Sequence, residues 1–281
     1  MLYRQAGKTG QMVSILGFGC MRLPTREGKA HLIDEEEAQG MVDYAIRHGV
    51  NYFDTAYVYH SEVPFQAGMS ELFLGRALKK QRQKVHVATK LPSWLVGSRA
   101  DLDRYLDEQL KRLQTEHIDF YLVHSLTGEL WNKLSQLGIT EFLDAAIADG
   151  RIKHAGFSFH DEVPHFKTIV DAYDWSFCQI QYNLMDEDFQ AGRAGLEYAA
   201  GGPGGDRHGA LTRRRTHREN PARRASGVGQ EPGQADAGRM GAAVCLEPAG
   251  SERGAERHER AGAGGGKHKN RQSGVGQLAY R

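Results

Sequence analysis

Along the first two hundred residues, short apolar runs alternate with segments whose apolar positions recur every three to four residues. The runs VSILGFG (13–19), NYFDT (51–55), VHVATK (85–90), IDFYLVH (118–124), IKHAGFS (152–158) and FCQIQ (177–181) read as strands. Between them, helical periodicity covers 34–49, 70–80, 99–113, 139–148 and 163–173, with a short last helix at 192–199. Asp34 is placed as an N-cap, with Glu37 three residues on, as in a capping box. About six strand–helix repeats call for a parallel sheet with crossover helices. Their spacing of roughly 35 residues is that of an α/β, TIM-type (β/α)8 barrel, here incomplete at about six units. The rival is a doubly wound sheet, which expects a phosphate-binding glycine loop after its first strand. Gly17 and Gly19 do not complete G-x-G-x-x-G, and no helix follows them directly.

Composition bounds this picture and then breaks it. At 281 residues the chain has room for one barrel of ~250 residues. A net charge of +1 implies neither a nucleic acid nor an acidic partner. Cys20, Cys178 and Cys245 are too far apart to form a disulfide framework or a close-spaced metal or iron–sulfur set, so no metal is expected. The N-terminus lacks a signal-like apolar run, and nothing approaches the ~20 apolar residues of a membrane span. The expectation is a cytoplasmic enzyme with no membrane or nucleic-acid partner; oligomeric state is unreadable. From Gly201 onward the character changes. Residues 201–281 hold eighteen Gly and thirteen Arg, three Leu, three Val, and no Phe, Ile or Trp. This tail carries +7 and the remainder −6. Such a segment buries too little apolar surface to offset its ordering entropy. A boundary is therefore expected near residue 200, with a disordered, low-complexity Gly/Ala/Arg-rich tail beyond it.

Polar residues gather at the C-terminal ends of the predicted strands, the face where barrel enzymes keep their chemistry. Asp54 ends the second strand and Tyr59 follows five residues later; Lys90 ends the third and His124 the fourth; Ser158 ends the fifth and Gln179 lies in the sixth. Taken singly, each has a bland reading: a turn aspartate, a packing tyrosine, a snorkelling lysine, a satisfied core histidine. Together they place four different proton-handling groups from three consecutive strands at one rim.

The blocks LGFGCMRLP, NYFDTAYVY, SELFLGRAL, VATKL, DFYLVH, IKHAGFS and CQIQYN resemble, in order and spacing, those of the aldo/keto reductase family. The resemblance covers essentially residues 1–200. It implies reduction of a small aldehyde or ketone by NADPH, less often NADH. Tyr59 would be the general acid, Lys90 and Asp54 its charge partners, and His124 the carbonyl-orienting donor. Gly19, Cys20, Met21, Ser158 and Gln179 would contact the cofactor, the last two holding the nicotinamide carboxamide. The family often has Ser-Asn where this chain has Ser158-Phe159. The sequence is also similar to a branch that often carries a C-terminal ferredoxin-like module, but no cysteine cluster supports one here. Two other readings stand beside it: a Schiff-base TIM-barrel aldolase using Lys90, and a non-catalytic, cofactor-sensing subunit of the same fold.

The family has two more strand–helix units after residue 200, which close the barrel and bind the cofactor's phosphates and adenosine. Three readings of the tail compete. RRRTHR suggests a basic nucleic-acid arm, but acidic residues are scattered through the segment and only Tyr280 is aromatic. A disordered linker is the second. The third is a frameshift, since Gly, Ala and Arg excess is what GC-rich coding DNA gives out of frame. Sliding one base forward, Met240-Gly241 forces a Trp codon where the family pattern has one; Asp206-Arg207 allows only Ile or Thr; His208-Gly209 and His258-Glu259 allow only Met or Thr. These fixed points agree with the missing units. A chain with this tail is expected to leave open sheet edges and to bind cofactor poorly.

Overall fold

The computed structural model describes residues 1–183, 187–201, 209–213 and 244–246, all within a compact unit spanning Met1–Gly250. The expectation of disorder between 201 and 281 lies otherwise outside the described residues, as does a second unit at 251–281.

The chain opens with an antiparallel hairpin, β1 (Tyr3–Gln5) and β2 (Met12–Ser14). The single strand expected over 13–19 is thus two pieces, β2 and β3 (Phe18–Gly19). The break has a local cause: the Ser14 hydroxyl donates to the Leu16 carbonyl at 2.7 Å, folding the chain where an unbroken strand would run straight. From β3 the expected order follows: α1 (Glu35–Arg47), β4 (Tyr52–Asp54), α2 (Ser70–Leu78), β5 (His86–Leu91), α3 (Arg99–Leu113) and β6 (Ile118–Leu126). Asp34 caps α1 by accepting the Glu37 amide. After β6 the sequence pattern gave one helix; the structure has two, α4 (Gly128–Gln136), capped by Thr127, and α5 (Ile139–Ala148). Then come β7 (Ile152–Phe159), α6 (Val163–Asp171), β8 (Phe177–Gln181) and α7 (Gly192–Ala199).

Strands β3 to β8 are parallel, and each pairs with the next in chain order. They curl into a half-barrel with the helices packed outside. The sheet extends past residue 200: β9 (Gly209–Arg213) pairs in parallel with β8, and β10 (Val244–Leu246) pairs antiparallel with β9.

Period-two alternation sorts the strand side chains. Phe53, Val87, Leu91, Tyr121, Val123, Phe157, Cys178 and Ile180 face the helices in the larger core cluster. Tyr52, Ala88, Phe120, Leu122 and Phe177 fill the barrel interior with Ala6 and Val13 of the hairpin. That interior is tightly filled, for a Cβ on Gly156 would sit 2.5 Å from the Phe177 ring. Register completes the arrangement. Asp54 pairs with Ala88, Lys90 with Leu122, Leu122 with Gly156, and Ser158 with Gln179. The upper inward position climbs by two residues across each of the first strand pairs, the stagger a barrel needs. It places Asp54, Lys90, His124, Ser158 and Gln179 on the inner face, one step above the apolar plug.

Candidate active site

The interior rim is dominated by a buried ion pair. Lys90 and Asp54 are 1% and 4% exposed. The Lys90 ammonium donates to Asp54 Oδ1 at 2.7 Å and to the Thr55 carbonyl at 2.6 Å. It also lies 4.9 Å from the centroid of the Tyr59 ring. Tyr59 stands edge-on to His124, with ring centroids 6.0 Å apart. The four residues of the expected tetrad are therefore brought together, each nearly buried. Among the described residues, the Tyr59 hydroxyl and Asp54 Oδ2 are buried with no hydrogen-bond partner. A buried polar atom left unpaired costs about 1–3 kcal/mol, so such atoms mark where a ligand would be welcome.

Several residues that sequence reasoning passed over hold this rim in place. Glu71 of α2 is fully buried; its carboxylate accepts from Thr89 at 2.6 Å, Gln109 at 2.7 Å and Arg112 at 2.8 Å. Burial pushes the Glu71 carboxyl up, against the pull of Thr89, Arg112 and Gln109. Gln109 donates in turn to the Lys90 carbonyl at 3.0 Å and accepts from the Tyr121 hydroxyl at 2.9 Å. One network thus joins α2 and α3 to the strand that carries Lys90. Behind Tyr59, the Gly68 amide donates to the Tyr57 carbonyl and Ser70 to the Tyr59 carbonyl. A Cβ on Gly68 would lie 2.0 Å from the Tyr59 carbonyl oxygen, so only glycine allows this approach. After His124, β6 carries an irregularity between Val123 and Leu126, and Ser125 adopts φ 50°. The Ser125 amide donates to the Ser158 hydroxyl at 2.7 Å. A bulge at a strand end re-aims the neighbouring side chain, here His124. Trp94 packs against His124 at 5.2 Å, and its indole N–H donates to the Phe65 carbonyl.

The residues expected to contact a cofactor divide. Ser158 and Gln179 are register partners on adjacent strands, both buried, and Gln179 Oε1 has no partner among the described residues. An orphaned amide oxygen beside a hydroxyl suits a carboxamide, which offers both a donor and an acceptor. Gly19 ends β3 opposite Asp54, and Met21 is 41% exposed. Cys20 points elsewhere: its side chain is buried among the helix-facing core, and its carbonyl already accepts from Ser70 at 3.0 Å. Burial, and secondarily the Asp54 charge, push the Cys20 thiol up. Phe159, where the family often has Asn, also faces the outer core. Among the described residues no three His, Cys, Asp or Glu side chains gather as a metal set, and no helix is long and apolar enough to cross a membrane.

A parallel, helix-wrapped half-barrel with a Lys–Asp pair beneath a tyrosine and a histidine defines a reductase-type (β/α) barrel. Residues 15–195 match the model of the aldo/keto reductase family. Similar proteins include "Probable aldo-keto reductase 1" of Glycine max, 32% identical over 164 residues, covering 54% of this chain and 43% of that protein. Another is the protein tas of Escherichia coli, 29% identical over 227 residues, covering 69% of this chain and 64% of that one. Among solved structures, an aldo-keto reductase from Pseudomonas aeruginosa aligns with a TM-score of 0.60 and 29% identity over 75% of this chain and 76% of its own. The holo form of an aldo-keto reductase from Bacillus halodurans aligns at 0.54 and 30%, over 65% and 58%. The chain belongs to the aldo/keto reductase family. It spans about half the length of the first curated relatives it matches.

Proposed function

We propose that this rim reduces the carbonyl of a small aldehyde or ketone, with NADPH, or less often NADH, as the reductant. The observation that carries the reading is the unpartnered Tyr59 hydroxyl, which stands beside His124 and over a buried Lys90–Asp54 pair. Ser158 and Gln179 would hold the nicotinamide carboxamide. Bound there, the nicotinamide supplies the hydride that the carbonyl carbon accepts. Everything else falls to the chain's own residues. Tyr59 hydrogen-bonds the carbonyl oxygen and donates its proton as charge develops there. Lys90 stabilises the phenolate left behind, and Asp54 keeps Lys90 charged and pointed at Tyr59. His124 adds a second donor to the oxyanion. An aldolase role for Lys90 is disfavoured, since its ammonium is held by Asp54 and Thr55 where a Schiff base needs a free amine.

The proposal extends to the tail: residues 201–281 are an out-of-frame reading of the last two barrel units, and the native product is cytoplasmic. Resequencing the gene around codon 200 tests this directly. Restoring the frame should restore NADPH binding and aldehyde reduction. In the restored protein, Tyr59→Phe should abolish turnover while cofactor binding persists. Turnover retained by purified Tyr59→Phe protein would overturn the assignment of the general acid. Cofactor affinity in the present chain equal to that of the restored one would overturn the reading of the tail.

A further inference from the structure

His60, the neighbour of Tyr59, does something the rim chemistry leaves unexplained. It is 8% exposed and sits at φ 61°, a left-handed backbone that a residue with a Cβ adopts at a cost. Both of its ring nitrogens are engaged. Nε2 accepts the Leu23 amide at 3.0 Å, and Nδ1 lies 2.6 Å from the Ala30 carbonyl. An amide can only donate and a carbonyl can only accept. The pair therefore fixes one neutral tautomer, with the proton on Nδ1. The two partners lie on the long connection from β3 to α1, one just after the turn Cys20–Arg22 and the other seven residues on. His60 itself is tied to the Tyr59 loop, its carbonyl accepting the Met69 amide at 3.1 Å. One imidazole thus joins the loop that carries Tyr59 to the loop that follows Gly19, Cys20 and Met21.

We infer that His60 is a positioning residue whose neutral imidazole clamps the Leu23 loop to the Tyr59 loop, and that protonation of Nε2 opens the clamp. The inference rests on the reading of Tyr59 as the proton donor for its meaning, though not for its test. A proton on Nε2 faces the Leu23 N–H, donor against donor, so the bond cannot survive it. Burial holds His60 below the usual histidine range, with the Ala30 carbonyl opposing, so the clamp is closed at neutral pH. The titratable and charged groups on these two loops are Cys20, Arg22, Arg26, Glu27, Lys29, His31 and Asp34 on one and Tyr57, Tyr59 and Glu62 on the other; His31 and Glu62 stand 3.9 Å apart across them.

The test is a titration of the isotopically labelled full chain, followed by nuclear magnetic resonance from about pH 8 down to about pH 4.5, a range that brackets an ordinary and a depressed histidine. The Leu23 amide and the Tyr59 ring should shift with the midpoint of the His60 ring proton, and Leu23 amide exchange should rise at least about tenfold beyond the ordinary pH trend, the factor for ~1.4 kcal/mol of lost hydrogen bond. In His60→Gln, whose side-chain oxygen can accept the Leu23 amide without titrating, those linked shifts should vanish. A Leu23 amide that ignores His60 protonation overturns the clamp. A Leu23 amide that follows while the Tyr59 ring stays still overturns the positioning of Tyr59. Neither readout needs turnover, so a chain inactive as a reductase can still pass.

Discussion

The Lys90–Asp54 pair offers a quantitative test of why the rim is built as it is. Its oppositely charged atoms are 2.7 Å apart, and both side chains are almost wholly buried. With an effective dielectric constant near 20, two unit charges at that distance attract by about 6 kcal/mol. Withdrawing each ion from water costs several kcal/mol, so the pair as a whole contributes close to nothing to stability. Breaking it is different. Lys90→Met leaves an uncompensated buried carboxylate whose second oxygen already lacks a partner. Asp54→Leu leaves a buried ammonium with no counter-charge, held by the Thr55 carbonyl and the face of the Tyr59 ring. Each single substitution should cost about 3–5 kcal/mol. The double variant Asp54→Leu/Lys90→Met should cost less than the sum of the two by at least about 3 kcal/mol, the upper end of couplings for residues in direct contact. Urea unfolding of the four proteins, with midpoints and slopes compared, measures the cycle. Single costs that simply add, within about 0.5 kcal/mol, would refute the view that the two charges sustain each other. Built into the frame-restored protein, the double variant should also be inert as a reductase even when well folded, because stability and proton transfer ask different things of the same residues.

Two further expectations follow from particular contacts. Gly68→Ala forces a methyl group onto the Tyr59 backbone at 2.0 Å; it should cost about 1–3 kcal/mol by urea unfolding and displace the Tyr59 ring resonances, and a variant that keeps both unchanged would remove Gly68 from the support of the rim. At the other end of the strands, burial holds His86, His117 and His154 below their usual range. The unfolded chain takes up these protons near pH ~6.5 while the folded chain resists, so their contribution is complete above that pH and lost as pH falls below it. Asp119 behaves in the same sense at lower pH. Burial opposes its ionisation, but Arg82, the Val87 amide and Lys153 outweigh it and hold its carboxyl low, so its contribution persists until pH drops below ~3.8, the ordinary aspartate value. The urea midpoint should therefore decline between about pH 7 and 5, and replacing His86 and His154 by Asn should flatten that decline; a midpoint independent of pH would contradict the burial argument.

Much of this architecture was legible in the sequence because the strands are apolar and end in chemistry. Asp54 ends its strand, and Lys90 and His124 lie within two residues of the ends of theirs, where polar residues follow runs that are buried on both faces. What escaped depends on partners far away along the chain. β1 is exposed at all three positions and has no alternation to betray it. In the run 13–19 the apolar Ile15 and Leu16 sit at the break between β2 and β3, where apolarity is a poor guide to strand. α4 is nine residues long and buries only Trp131 and Leu134, too little for a helical stripe to stand out. Glu71 reads as an acid in the first turn of a helix, a common surface choice. Its burial becomes visible only when Arg112, forty-one residues away, is seen to pair with it. The bulge at Ser125 is set by a hydroxyl thirty-three residues distant.

Those long-range partners also separate the two parts of the proposed function. The contacts that fix the rim come from Thr55, Gly68, Ser70, Glu71, Trp94, Gln109, Arg112, Ser125 and Ser158. All precede residue 160, on or beside strands that pair in chain order from β3 to β7, with one register shift, between Val123 and Leu126. The geometry of the proton-transfer group is therefore internal to this part of the chain. The proposed cofactor site would draw on more: Gln179 Oε1, on β8, has no partner among the described residues, and the family resemblance would place the phosphate and adenosine anchors later still. A change confined to residues beyond 200 should act first on affinity for the nicotinamide nucleotide and leave the Lys90–Asp54 contact standing. Charge placement and cofactor capture are distinct physical problems in this fold, and the residues that place the charges here are not those that would anchor a cofactor's phosphates.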